Sequence, residues 1–418
     1  MAEVIPFRGV LFNIPKISKG SGEEVLSPPY DIITPEGQQI YYDKSPYNII
    51  RIDFGKKDPE DNEQSNRYSR AKTSLDAWMK EEALITGKSS NFYAYEVEYT
   101  IHGKPLKLRG FIGLVRLEQL GKGNIHPHEY THSKPKKDRL DLMRYCEANI
   151  SPIFSIYNSP ERIASGILED ISGSRPYIEA PDADGSIHRL WQIDDEKAVS
   201  AITKEMDGKA IFIADGHHRY ETALEYQREM QKKEGASSSA RPYDYVLMFL
   251  SNMADEGLTI LPTHRLVKDL PEDALEQLSV DFDIKQMGLD RDIPSAIAGQ
   301  KDVYGFYAGG KSWYRIAYKG EGIHGVPPAL KDLDVTILHD LIFKQILDIE
   351  NVSYEMDMKK CIELVSTGQY KAAFFLNPTG VYDVERVALA SLRMPPKSTY
   401  FYPKLMTGMV LNVFKNSF

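Results

Sequence analysis

One segment constrains this chain more than any other. Ala210-Ile-Phe-Ile-Ala214 is a compact apolar run of strand character, Asp215-Gly216 makes a turn, and His217 to about Lys233 has helical spacing with Tyr220, Ala223 and Leu224 on one face. Such a strand–turn–helix unit needs a sheet for the strand and a core for the helix face. The helix start also gathers polar groups: Asp215, His217, His218 and Arg219 surround Gly216. A helix start carries unpaired backbone N–H groups and a partial positive charge, which together favour an anion. Gly216 allows close backbone approach, Arg219 offers a planar fork suited to phosphate oxygens, and the histidines add donors near neutral pH. Asp215 has three readings: a metal ligand, an acceptor for a substrate hydroxyl, or a cap for its own helix.

The rest of the chain reads as a mixture of helices and strands without strict alternation, so the expected class is α+β with mixed sheets. Asp194 to Met206 suits a helix ended by Asp207-Gly208, and Tyr245 to Leu250 a buried strand. A helix is expected from Glu63 to Leu84, with Leu75, Trp78 and Met79 on one face. Asn91–Tyr99 and Leu106–Leu117 read as a hairpin around His102-Gly-Lys-Pro105. Gly121 to Pro127 reads as loop, Asp138 as the cap of a helix running towards Asn149, Ser151 to Tyr157 as a strand, and Lys232 to Pro242 as a flexible loop.

Length allows two or three domains or one elaborated domain: 418 residues at roughly 100–200 per domain. The divisions expected are 1–190 as an α+β domain contributing to the site, 191–265 around the strand–turn–helix unit, and 266–418 as an α+β region returning a Pro-Pro-Lys-Ser-Thr loop to the site. The balance of 51 Lys+Arg against 60 Asp+Glu gives −9, which argues against a nucleic-acid surface. No apolar stretch reaches membrane-span length and the first residues do not resemble a signal peptide, so a cytoplasmic location is expected. Cys146 and Cys361 are too few and too far apart for a disulfide framework or a CxxC motif.

Asp215-Gly-His-His-Arg219-Tyr220 resembles the signature of the ParB/sulfiredoxin-like nucleotide-binding fold, and its closest likeness is to the free serine kinases of that superfamily. Over nearly its full length the chain also resembles an uncharacterised family often labelled ParB-like. That likeness is carried by Ser27-Pro-Pro-Tyr-Asp31, His128-Glu-Tyr-Thr131, Ala214 to Tyr220, Leu261-Pro-Thr-His-Arg265 and Met394-Pro-Pro-Lys-Ser-Thr-Tyr400. The resemblance implies a ParB/sulfiredoxin-like core in which Gly216, His217, His218 and Arg219 hold nucleotide phosphates, with Lys397, Ser398 and Thr399 adding donors. It implies Asp215, His217, His218 and Glu129 as catalytic candidates. Ser27, Tyr30, Asp31, His128, Arg139, Thr263, His264 and Arg265 are the candidates for substrate contact.

His128-Glu-Tyr-Thr-His132 matches the H-E-x-x-H pattern, but a zinc site needs that pattern inside a helix, and Pro127 and Pro135 flank it. No zinc is expected. The Pro-Pro-Lys-Ser-Thr run lacks the upstream glycines of a P-loop. The reading that follows is a phosphotransferase using ATP or ADP with Mg²⁺, held at Asp215, on a small hydroxylated metabolite. Serine or phosphoserine is the first candidate, in either direction of transfer. The alternative is a ParB-like nucleotide-binding regulator, or a DNA-associated protein, without small-molecule turnover. The expected partners are nucleotide and substrate, with a homodimer compatible and neither membrane nor nucleic acid required.

Overall fold

The computed structural model describes every residue except Met1, Lys19, Ser21, Thr131, His132, 236–238, Asp290 and Arg291, together with the side chains of 133–135. The chain forms two compact units. The first comprises Met1–Pro127, Thr131–Thr259 and Pro403–Phe418; the second comprises His128–Tyr130 and Ile260–Tyr402. The proteins of this fold class mix helices and sheets, and both units do so.

The first unit is built on a nine-stranded mixed sheet. Its central hairpin, Phe92–Ile101 and Lys104–Arg116, pairs antiparallel with Ile101 opposite Lys104. His102 and Gly103 make the turn with φ of 50° and 77°, the left-handed pair that matches the twist of a two-residue hairpin. Tyr245–Asn252 adds to one side of this hairpin, followed by Ile153–Tyr157, Ile211–Asp215 and the short Ile125–His126. The expected loop at 121–127 therefore contains a strand: Ile125 and His126 pair parallel with Ile211 and Phe212.

Burial follows the apolar pattern. Phe92, Phe111, Tyr157, Ile211, Ile213 and Tyr220 pack in one core. The His217–Glu234 helix buries Tyr220, Ala223 and Leu224. Tyr220 is fastened at its far end as well, because its hydroxyl accepts from Glu118 N–H at 2.9 Å and donates to Glu118 C=O at 2.7 Å.

Three expected boundaries move for local reasons. The helix over 63–84 runs only from Arg67 to Lys80, because Asn66 and Ser69 close a reciprocal capping box and Leu84 enters a strand. Asp138 is not a cap: the helix begins earlier and spans Ser133–Cys146. Pro135, which seemed to exclude helix, falls in the first turn, where no N–H is needed. The loop expected from Lys232 begins only after Glu234.

The second unit has a six-stranded antiparallel sheet in the order Phe282–Gly288, Ser312–Tyr318, Val303–Tyr307, Ala372–Phe375, His264–Val267, Val352–Glu355. Leu266, Trp313, Cys361, Ala373 and Phe375 form its core. Asp334–Thr336 leads into a π-helical stretch, Ile337–Ile346. No helix among the described residues is long and apolar enough to cross a membrane.

Candidate functional site

The Ile211–Asp215 strand delivers its end to the helix start through an irregularity. Ile213 lies opposite Ser155 but Asp215 opposite Phe154, so the register slips at Ala214. A bulge of this kind bends a strand and re-aims the side chains that follow it. Gly216 then occupies the N-cap position of the His217–Glu234 helix with φ 94°. A Cβ there would lie 2.8 Å from Arg219 Nε and Nη2. The conformation therefore favours glycine, and a side chain here would push the Arg219 guanidinium aside.

Around this bare Cα the charges are arranged closely. Arg219 Nη2 lies 3.3 Å from Asp215 Oδ2, and Lys404 Nζ lies 3.7 Å from Asp215 Oδ1. One carboxylate thus stands between two cations, and the helix N-terminus adds to the positive side. Arg219 also donates from Nη1 to Ser151 Oγ at 3.2 Å and to Pro152 C=O. These bonds fix the guanidinium against the strand Ile153–Tyr157. His217 is buried and His218 half-buried, so neither histidine is a freely solvated side chain.

A buried cluster adjoins Arg219. Arg139 donates to Asp53 Oδ1 and to Asp53 C=O, each at 2.8 Å, and to Asp138 Oδ2. Its guanidinium lies 3.9 Å from the centre of the Tyr30 ring. Asp138 in turn accepts from Arg67 and from Tyr68. Burial pushes the Asp53 carboxyl up, against the pull of Arg139 and Arg219. The same two arginines oppose the rise that burial gives Tyr30. Asp53 Oδ2 has no hydrogen-bond partner, and it borders a cavity of about 40 Å³ lined also by Arg139, Ser151 and Arg219. That volume admits about one water molecule.

The expected residues therefore fall into two sets. Tyr30, Arg139, Asp215, Gly216 and Arg219 meet in the first unit, linked by the contacts above. Ser27 and Asp31 belong to the same unit: Ser27 is fully buried, bridged to Thr407 and with its Oγ unpartnered, whereas Asp31 is exposed. His128, Glu129, Thr263, His264, Arg265, Lys397, Ser398 and Thr399 belong to the second unit. There His128 Nε2 and Thr399 Oγ1 are 2.8 Å apart, and Met394 N–H donates to His128 C=O at 2.9 Å. Ser398 and Thr399 are buried while Lys397 is exposed. His128 to Tyr130 are not helical, and His132 and Thr131 lie outside the described residues.

Sequence reasoning missed Lys404, Asp53 and Ser151. Asp53 alone left a trace, as a lone carboxylate closing the apolar-rich stretch Ile49-Ile-Arg-Ile-Asp53.

The residues present do not fit a Mg²⁺ ion held by the protein at Asp215. Its single carboxylate is already shared by Arg219 and Lys404, and among the described residues no group of three or more His, Cys, Asp or Glu side chains is placed to hold a metal. A carboxylate already engaged by two cations is a poor ligand for a bare dication.

Among solved structures the chain is similar to a conserved hypothetical protein from Pyrococcus furiosus, at 12% identity and a TM-score of 0.34, covering 70% of this chain and 94% of that one. It is also similar to a free serine kinase in complex with AMP, at 11% identity and a TM-score of 0.33, covering 72% and 99%. SbnI from Staphylococcus aureus, with a C-terminal truncation, follows at 11% identity and a TM-score of 0.36, covering 72% and 87%. Likenesses this distant carry no argument about the site. No curated protein matches the chain. Residues 4–336 match the family described as protein of unknown function DUF1015, and the chain belongs to that family.

Proposed function

We propose that the start of the His217–Glu234 helix binds the phosphates of an adenine nucleotide, and that the protein is a phosphotransferase for a small hydroxylated metabolite, with serine or phosphoserine first. The observation that carries this reading is the shared carboxylate: Asp215 meets both Arg219 and Lys404 beside a glycine N-cap. Two cations and a helix N-terminus converge on this carboxylate, a combination of groups suited to the oxygens of a phosphate chain. The resemblance of Asp215-Gly-His-His-Arg219 to the motif of free serine kinases supports the same reading. The core so used would be residues 191–265, as divided above.

Phosphoryl transfer asks a protein mainly for positioning and charge stabilisation. Arg219, locked by Ser151 and Pro152, is fixed before a ligand arrives. Asp215 would accept the proton of the attacking hydroxyl. Mg²⁺ would come as the counter-ion of the nucleotide's own phosphates. The test is a screen of ATP and ADP against serine, phosphoserine and related hydroxylated metabolites, read by mass spectrometry. Phosphoryl exchange that disappears in Arg219→Ala is expected. No exchange with any pair, together with no nucleotide binding, would overturn the proposal.

A further inference from the structure

Arg265, in the second unit, is 1% exposed, yet no carboxylate of the described residues pairs with it. Its Nε donates to His339 Nε2 at 3.2 Å, Nη1 to Thr263 C=O, and Nη2 to Pro396 C=O and Lys397 C=O at 3.4 and 3.1 Å. The Tyr354 ring centre is 5.4 Å from the guanidinium, and Glu129 acts on it only as a charge at a distance. Contrast Arg139, also buried, which has both Asp53 and Asp138 in contact. Buried charges are normally paired, because desolvation is costly and carbonyl dipoles replace water only in part. Arg265 has carbonyl oxygens and an imidazole in place of a carboxylate partner.

Its neighbours open onto a groove of about 700 Å³, lined among others by His339, Phe343, Lys344, Tyr354, Arg393 and Pro396. His339 is presented by the π-helical stretch Ile337–Ile346, a rare geometry that concentrates at functional positions. Its ring lies nearly parallel to Tyr354, 16° apart, with centres 6.4 Å from each other. Since His339 Nε2 accepts from Arg265, the imidazole is neutral. Lys397, whose carbonyl Arg265 holds, has φ 56°, a strained conformation for a residue with a side chain. Carboxylates line the groove too, but Asp340 is paired with Lys344, and Asp348 and Glu350 are exposed and screened by solvent. Arg265 lies one layer behind this lining and is joined to it through His339 and the carbonyl of Pro396.

We propose that this groove, independently of the nucleotide site above, binds a small organic anion with a flat body: its anionic group compensates Arg265 and its body packs on Tyr354 and His339. The test uses two probes on the full chain, 8-anilinonaphthalene-1-sulfonate and its uncharged relative N-phenyl-1-naphthylamine, with binding followed by fluorescence and calorimetry. The sulfonate is expected to bind at one site at least about tenfold more tightly than the uncharged probe. Tyr354→Ala is expected to weaken it by about tenfold or more, Arg265→Lys to retain it, and Arg265→Met to lose the preference for the sulfonate. Should Arg265→Met fail to fold, the comparison of the two probes and the Tyr354→Ala variant still decide. Equal affinity for both probes, or sulfonate binding unchanged in Tyr354→Ala, would overturn the proposal. Gly216→Val, altered in the first unit, is expected to leave probe binding unchanged; its loss there would place the probe at the nucleotide site and overturn the assignment.

Discussion

Arg219 and Asp215 stand one helical turn apart with their charged groups 3.3 Å from each other, and the bare Cα of Gly216 lies beneath the guanidinium. The pair is held from both sides: the Asp215 backbone by the slipped register at Ala214, the Arg219 guanidinium by Ser151 Oγ and the carbonyl of Pro152. This arrangement determines what each substitution nearby should do.

Gly216→Ala is expected to cost about 1–2 kcal/mol of stability, the penalty for a side chain in the left-handed region, and to displace the guanidinium of Arg219. Thermal unfolding with and without ADP checks both effects. A melting temperature equal to wild type would show that the turn relaxes without strain.

Asp215→Asn removes the negative charge that Arg219 and Lys404 share. Nucleotide affinity is expected to stay the same or rise, while phosphoryl transfer is lost. Calorimetry and product analysis on one preparation separate the two, and full turnover would exclude Asp215 as the proton acceptor.

Arg139→Ala leaves Asp53 and Asp138 without their shared partner, and Asp53 fully enclosed. Breaking a buried pair from one side costs about 3–5 kcal/mol, which urea unfolding would register as a lower midpoint. A loss below about 1 kcal/mol would mean that water reaches the Asp53 carboxylate.

Burial holds His264 down to about 4 and His339 down to about 3, from 6.5. Unfolding restores the ordinary value, so the unfolded chain binds more protons than the folded one between these values. Stability should therefore be level above pH 6.5 and fall as the pH drops towards 4. Each histidine contributes about 1.4 kcal/mol per pH unit in that window. Melting curves between pH 7.5 and 5, compared with His339→Gln, test this: the variant should show the shallower decline.

Local pattern made the strand and helix around Gly216 readable, because an apolar run, a glycine and a 3.6-residue spacing are all contained in about twenty residues. The same is true of the hairpin at His102-Gly103. What could not be read depends on distant partners. The slip at Ala214 exists only against Ile153–Tyr157, and Lys404 reaches Asp215 from far along the chain. Asp138 looked like a cap because acidic residues commonly precede helices; its actual partners, Arg67, Tyr68 and Arg139, are visible only once the helices pack. Arg265 and the Pro-Pro-Lys-Ser-Thr loop were expected in contact with a ligand, and the structure shows Arg265 binding the loop's own carbonyls.

The phosphate-binding role of the helix start is tested most directly by calorimetric titration of ADP into wild type and Lys404→Gln at two ionic strengths. Wild type should bind ADP at one site, with affinity falling as salt rises, and Lys404→Gln should bind about tenfold more weakly with a smaller salt dependence. No binding to wild type, or identical affinity and salt dependence in the two proteins, would contradict it.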